Sequence, residues 1–204
     1  MKLSKNFLTA LVVIVVVGGI VLLKFFVLQA GHPGDSSAGK RLKGPANAMV
    51  KIVEYTDFQC PACGKAFLVV EDLLKKYDGK VSLEHKHYPL KVHAHAMKAS
   101  IFAECADQQG KFWPMYDVLF KSQASWDKMP DPSPYFTDLA VGLGMDGAAL
   151  NACVSKGDAE KRIEADQKEG NSLGIQSTPT FVISRKLYVG SQNLQTELER
   201  RLGK

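Results

Sequence analysis

The sequence predicts an α/β domain that carries an inserted all-helical region and follows an apolar N-terminal transmembrane helix. Three observations lead to this fold class. A β-α-β pattern occupies residues 49–88, residues 93–173 show helical periodicity without a convincing strand, and strand patterns return after Gly174. A long all-helical stretch between the strands of one sheet is best interpreted as an insertion.

Residues 1–30 are predicted to be a membrane anchor or a signal. Residues 7–23 form a run without a charge, and two lysines precede it. The apolar character resumes after Lys24, so residues 7–28 would span ~33 Å as a helix, enough for a hydrocarbon core of ~30 Å. The run is longer than the apolar core of a cleaved signal peptide, which favours an uncleaved anchor and leaves cleavage as the alternative.

Residues 31–47 are rich in Gly, Ser, Pro and Lys, which is typical of a flexible linker, so the folded domain is expected to span residues 48–204. The formal net charge of the chain is +5, but the bases of residues 1–47 account for all of it. A neutral domain has no excess of cations to neutralise phosphates, which argues against nucleic-acid binding. A hydrophobic fraction of 46% excludes a disordered chain.

The β-α-β pattern begins with the β-branched run Met49–Tyr55 and ends with Val81–Tyr88, and both segments suit strands. Between them, apolar residues recur at steps of three and four from Phe67 to Tyr77. This spacing predicts a helix with one apolar face that ends at Asp78-Gly79. A unit of this length suits two parallel strands joined by a crossover helix.

The insertion is predicted to contain five helical stretches. They are Ala94–Gln109, Phe112–Phe120, Tyr135–Leu143, Ala148–Val154 behind Asp146 as its N-cap, and Asp158–Leu173. Beyond Gly174, Thr180–Ile183 and Lys186–Val189 predict two strands joined by a turn, and Asn193–Leu202 predicts a final amphipathic helix.

The Cys-Pro-Ala-Cys motif at residues 60–63 is the most informative feature. It lies between a predicted strand and a predicted helix, which places Cys60 at the helix N-terminus, where free amides and the helix dipole stabilise a thiolate. Cys63, one turn further on, is able to form a disulfide with Cys60, and a low pKa of Cys60 makes that disulfide an oxidant. Zinc binding and an inert disulfide are weaker alternatives, because a Cys₄ zinc centre needs a second close pair of cysteines.

Two other positions are candidates for the same site. Glu54 lies among apolar residues of the first strand, where burial would raise its pKa and let it accept a proton from Cys63. The alternative is that strand alternation turns Glu54 to solvent. Thr178-Pro179 precedes the third strand, and a cis peptide there would turn the Thr178 backbone outward to pair with an extended peptide, whereas a trans turn would have no such role.

Together these features resemble the DsbA-like thiol:disulfide oxidoreductases, which are thioredoxin-superfamily proteins with an inserted helical domain. The resemblance is carried by VKIVEYTDFQCPAC, KHYPLKVHAHA, AECADQQGKFWPMYDVLF and GNSLGIQSTPTFVI. It implies a thioredoxin-like fold in which Cys60 is the exposed nucleophile, Cys63 the resolving cysteine, Glu54 the buried acid and Thr178-Pro179 a cis-proline loop facing the disulfide. The Pro-Ala dipeptide departs from the Pro-His of the best-known oxidants and leaves the direction of exchange open.

The remaining cysteines, Cys105 and Cys153, both fall in the insertion. In an oxidising compartment we expect them to form a structural disulfide, and two buried free thiols or a second redox relay are the alternatives. His85 and His87 alternate on the second strand. We interpret them as surface or hydrogen-bonded residues, and no metal site is expected.

We therefore expect an extracytoplasmic thiol:disulfide oxidoreductase that oxidises the thiols of reduced or unfolded exported proteins. The redox-active disulfide carries the electrons, so no soluble cofactor is expected, and a quinone-linked thiol oxidase in the membrane is the expected partner for reoxidation. We expect a monomer, held as a single-pass protein in the bacterial cytoplasmic membrane or released to the periplasm after cleavage. A reductase or isomerase using the same cysteines, and a non-catalytic peptide-binding module, are the alternatives.

Overall fold

The computed structural model of the chain describes residues 41–203. Within them, one five-stranded sheet has the strand order β1-β3-β2-β4-β5. The strands are β1 (Leu42–Lys43), β2 (Val50–Thr56), β3 (Val81–His87), β4 (Thr180–Ile183) and β5 (Lys186–Val189). Strands β2 and β3 are parallel, and the other neighbouring pairs are antiparallel.

The helices of the described residues fall into a block between β3 and β4 and two outside it. They are α1 (Pro61–Lys76), α2 (Ala96–Asp107), α3 (Phe112–Lys121), α4 (Gln123–Trp126), α5 (Ser133–Gly142), α6 (Gly147–Lys156), α7 (Asp158–Ser172) and α8 (Ser191–Leu202). The α/β fold with a helical region is confirmed. The one helix that the sequence did not predict is α4, which is too short to show a periodicity.

Two large apolar cores, and a small third one around Tyr55, Tyr88 and Ile175, hold the described residues together. One lies between the sheet and helices α1 and α8, and it contains Val50 and Ile52 of β2. The other lies among the inserted helices and reaches Phe58 and Cys63 near the start of α1. Side chains alternate across a strand, so the next residue on the face of Val50 and Ile52 is Glu54, which therefore points into covered space.

The ordered domain begins earlier than the expected boundary at Ala48. Leu42 and Lys43 pair with β3, and Arg41 donates to Glu104 and Asp166, each at 2.5 Å. Both carboxylates are almost fully buried, and a buried carboxylate needs a paired cation. The part of the expected linker that the structure describes therefore belongs to the fold, although a strand of two residues is too short to predict from composition.

The expected localisation as a single-pass membrane protein has to be corrected. Among residues 41–203, no helix is long and apolar enough to cross a membrane. The longest described helix, α1, has 16 residues, whereas a span needs about 20 apolar ones. The proposed anchor, residues 7–28, lies outside the described residues, so nothing in the structure supports it.

Candidate redox site

The Cys-Pro-Ala-Cys motif forms the junction between β2 and α1. Cys60 is the N-cap residue of α1, with an extended backbone at φ −67° and ψ 121°, and Pro61 occupies the first turn. Proline suits this position because a first-turn N–H has no intrahelical acceptor. The Cys60 side chain accepts no capping hydrogen bond, but it lies at the start of α1, where the first N–H groups of a helix are free and favour an anion.

The two cysteines of the motif differ sharply. Cys60 keeps 7% of its surface exposed, whereas Cys63 keeps 1%. A hydrogen bond from the Cys63 thiol lowers the pKa of Cys60 to about 5, and the amides of Ala62 and Cys63 act in the same direction against the effect of burial. Burial raises the pKa of Cys63 well above its usual range. At neutral pH the dithiol form thus holds a thiolate at Cys60 and a thiol at Cys63.

The loop before β4 lies against this pair. The Thr178-Pro179 peptide bond is cis, and the Thr178 carbonyl oxygen lies 3.6 Å from the Cys60 sulfur. The Thr178 hydroxyl is buried and has no hydrogen-bond partner among the described residues. This loop therefore brings polar atoms next to the more exposed sulfur.

Glu54 of β2 is buried, which excludes the alternative that it faces solvent. Only 1% of its surface is accessible, and the Tyr116 hydroxyl donates a hydrogen bond to its carboxylate at 2.9 Å. Burial raises the pKa of Glu54 to about 7, and the hydrogen bond from Tyr116 offsets only part of this effect. The pKa of Tyr116 is itself raised by burial and by the charge of Glu54, with a smaller effect of Cys63. The site thus holds a buried acid that exchanges its proton near neutral pH.

The loop between β2 and α1 is held by Asp57, a fully buried carboxylate. It accepts hydrogen bonds from the backbone N–H groups of Gln59 and Leu90 at 2.7 and 2.8 Å. His93 adds a contact from its Nδ1 at 2.7 Å. The loop that follows β3 and the loop that precedes the motif therefore meet at one side chain.

Two glutamines connect this loop to the inserted helices. Gln123 donates to the carbonyl oxygens of Phe58 and Cys60 at 2.7 and 3.0 Å. In the opposite direction, Gln59 donates to the carbonyl oxygen of Asp127 at 2.8 Å and accepts from the N–H of His95 at 2.5 Å. Sequence reasoning missed Gln59 and Gln123, because a lone glutamine carries no periodicity or motif.

Cys105 and Cys153 are joined as a disulfide that links α2 to α6, with their Cα atoms 5.7 Å apart. Neither lies in the site around Cys60. The apolar residues near them belong to the core of the inserted helices.

The strand histidines are hydrogen-bonded, but they are not surface residues. His85 and His87 are fully buried, with 3.2 Å between His85 Nε2 and His87 Nδ1 and 3.1 Å between His87 Nε2 and Glu104. Burial lowers the pKa of both imidazoles well below the usual range, so both are neutral. Within residues 41–203 no group of three or more His, Cys, Asp or Glu side chains is arranged to hold a metal ion.

Comparison with known families and structures identifies the fold that carries this site. A family model described as Thioredoxin matches residues 36–200. The crystal structure of oxidised BdbD from Bacillus subtilis superposes with a TM-score of 0.71 at 21% identity, covering 83% of this chain and 96% of that chain. The structure of α-DsbA1 from Wolbachia pipientis gives a TM-score of 0.70 at 22% identity, covering 81% of this chain and 92% of that chain.

The curated relatives are much longer proteins. One, named Na(+)/H(+) antiporter NhaA 3, from Salinispora tropica, is 32% identical over 155 residues, which cover 76% of this chain and 23% of that protein. Another, named Na(+)/H(+) antiporter NhaA, from Herminiimonas arsenicoxydans, is 28% identical over 155 residues. The chain therefore spans about a quarter of the length of these relatives.

Proposed function

The chain belongs to the thioredoxin family and has the DsbA-like form of its fold, and from this premise we propose that it is a protein thiol:disulfide oxidoreductase that oxidises substrate thiols through Cys60 and Cys63. The observation that carries the proposal is the asymmetry of the two sulfurs at the start of α1. One is slightly exposed and has a lowered pKa, and the other is buried and has a raised pKa. This arrangement suits a nucleophile and a resolving partner.

The proposed reaction moves two electrons from the substrate to the Cys60–Cys63 disulfide. A substrate thiolate attacks the Cys60 sulfur, which forms a mixed disulfide and releases Cys63 as a thiolate. A second thiolate of the same substrate then attacks the substrate sulfur of the mixed disulfide and displaces the Cys60 thiolate. The substrate leaves with a disulfide, and the protein is left as a dithiol with its thiolate at Cys60.

In this proposal Glu54 is the proton donor and acceptor for the buried Cys63. Cys63 needs a proton as it leaves, because a thiolate is costly in its buried surroundings. Glu54, whose raised pKa keeps it partly protonated at neutral pH, supplies that proton and takes it back on reoxidation. Tyr116 holds the carboxyl through its hydrogen bond.

The oxidising direction follows from the stability of the Cys60 thiolate. Whatever stabilises the thiolate stabilises the dithiol form, and the disulfide then accepts electrons more readily. The Cys105–Cys153 disulfide favours work in an oxidising, extracytoplasmic compartment. The dithiol has to be reoxidised there, and a quinone-linked thiol oxidase is the proposed electron acceptor.

Two measurements on the purified protein test this function. The first is the equilibrium of Cys60–Cys63 with glutathione buffers, which should give a potential well above the ~−270 mV of thioredoxin. The second is the oxidation of a reduced, unfolded substrate protein. We expect Cys60→Ser and Cys63→Ser each to abolish it, because neither variant can form the disulfide that accepts the electrons, and Cys105→Ser/Cys153→Ser to retain most of it.

Each alternative has its own outcome in the same experiments. A potential near the thioredoxin value would make the protein a reductant. Full thiol oxidation by Cys60→Ser would overturn the catalytic role of the motif. A wild-type protein that binds the unfolded substrate without oxidising its thiols would be a peptide-binding module.

A further inference from the structure

The short helix α4 is firmly attached to the core of the inserted helices. Trp126 is fully buried, donates from its indole N–H to the carbonyl oxygen of Leu119 at 3.0 Å and packs edge-on against Phe136 at a ring distance of 5.0 Å. This anchorage fixes the first residue of α4, Gln123, opposite the loop that carries Cys60.

The amide of Gln123 is fully engaged with that loop. Its Nε2 donates to the carbonyl oxygens on either side of Gln59, those of Phe58 and Cys60. Its oxygen packs against the first turn of α1, since a Cβ atom added at Gly64 would lie only 2.5 Å from Gln123 Oε1. The side chain thus packs against the Cys60 carbonyl, which also accepts the N–H of Gly64 at 3.1 Å, and leaves no space for a methyl group at Gly64.

These contacts act on the atoms that stabilise the Cys60 thiolate. The orientation of the Cys60 carbonyl is fixed together with the ψ angle of Cys60, which is 121°. This angle sets how the Cys60 sulfur lies relative to the N–H groups of Ala62 and Cys63, which lower its pKa. Carbonyl oxygens also carry partial negative charge, which disfavours a nearby anion. A donor bound to two of them withdraws part of that charge in a site with little water.

We propose that Gln123 is a positioning residue that sets the redox potential of the Cys60–Cys63 pair by fixing the Cys60 carbonyl. The inference rests on the proposed function, since it concerns the same disulfide. Gln123 touches neither sulfur directly and takes no part in the exchange. It acts as a fixed polar contact from the inserted helices to the start of α1.

The direct test is Gln123→Ala. We expect the thiolate absorbance of Cys60 to titrate about one pH unit higher than in the wild type. We also expect the equilibrium constant of Cys60–Cys63 with glutathione to change about tenfold in favour of the disulfide form. For a two-electron couple this change lowers the reduction potential by about 30 mV. Gln109→Ala is the matched control, because Gln109 also bonds backbone atoms of another segment, those of Asp146, but away from Cys60. It should leave both values unchanged.

A second variant moves the amide without removing it. In Gly64→Ala the new methyl group would displace the end of the Gln123 side chain, while alanine in place of glycine favours the helix. We expect the same upward shift in the Cys60 titration and the same fall in potential, with no loss of stability in urea. This variant also keeps the test decisive if Gln123→Ala does not fold.

The outcomes separate this inference from the proposed function. If the wild-type pair exchanges with glutathione and both variants share its potential and titration, Gln123 has no positioning role and the function stands. If the wild-type pair does not exchange at all, the function itself fails. If Gln109→Ala shifts the Cys60 titration and the potential as much as Gln123→Ala does, the cause is a general loss of packing. This result would also overturn the inference.

Discussion

The chain carries two cysteine pairs that are alike in exposure and in apolar packing but differ in their polar surroundings. Cys60 and Cys153 have nearly the same accessible surface, 7% and 6%, and both belong to the same apolar core. Yet Cys60 lies at a helix start whose N–H groups lower its pKa, whereas Cys153 is bonded to a partner 48 positions away. Access to solvent therefore does not distinguish an exchangeable sulfur from a structural one in this fold. The distinction lies in the polar groups that stabilise the sulfur as an anion.

The largest expected effect is on the reactivity of Cys60 toward alkylation. Its absence would contradict the contrast between the two cysteine pairs. In protein reduced only at Cys60 and Cys63, alkylation should follow a single titration with a midpoint near pH 5. At pH 6 the thiolate fraction of Cys60 would then be about 300-fold that of a cysteine with an unperturbed pKa. Rates of iodoacetamide modification across pH 3–9, with mass spectrometry to locate the label, measure this.

Cys63 is the internal control for that experiment. It should remain unlabelled over the same range, because it is buried and its pKa is raised. A midpoint near pH 8.5, or equal labelling of both cysteines, would show that the helix start gives Cys60 no special character.

The second effect is on stability and belongs to the other pair. Replacing both cysteines in Cys105→Ala/Cys153→Ala removes a cross-link over a separation of 48 residues, which in the chain-entropy model lowers the free energy of unfolding by about 4 kcal/mol. Urea unfolding at constant pH measures it. The glutathione equilibrium of Cys60–Cys63 should stay within about threefold of wild type. A large shift in that equilibrium would instead make Cys105–Cys153 a second redox relay.

The sequence predicts those differences between the two cysteine pairs that arise from residues close together in the chain. The spacing of Cys60 and Cys63 and their place between a strand and a helix are visible in the sequence, and so is the placing of Cys105 and Cys153 in helices. Glu54 also followed from local information, because its strand neighbours Val50 and Ile52 share its face and are apolar.

Long-range polar contacts could not be predicted in this way. Gln123 reaches the Cys60 carbonyl across a separation of 63 residues, and Arg41 binds Glu104 across the same separation. Neither side chain has a sequence pattern, because its role is set by which segments the fold brings together. The sequence also did not predict β1 and α4, because elements of two and four residues are too short to show a strand or helix periodicity.

The smallest expected effect is on the free energy of unfolding and concerns Glu54, the buried acid proposed to exchange a proton with Cys63. In the folded protein the pKa of Glu54 is raised from an ordinary 4.5 to about 7. Between these values the unfolded chain loses the proton while the folded chain keeps it, so this group lowers stability as pH rises through that window and adds no further change above it. Glutamine cannot ionise, and the expected gain of Glu54→Gln over wild type therefore grows from near zero at pH 4.5 to about 3 kcal/mol at pH 8. Urea unfolding of both proteins in the same redox state measures the difference, with the exposed Glu164→Gln as a matched control. A difference that does not vary with pH would mean that folding leaves the pKa of Glu54 unchanged. Glu54 would then be ionised at neutral pH, and Cys63 would have no acid to supply its proton.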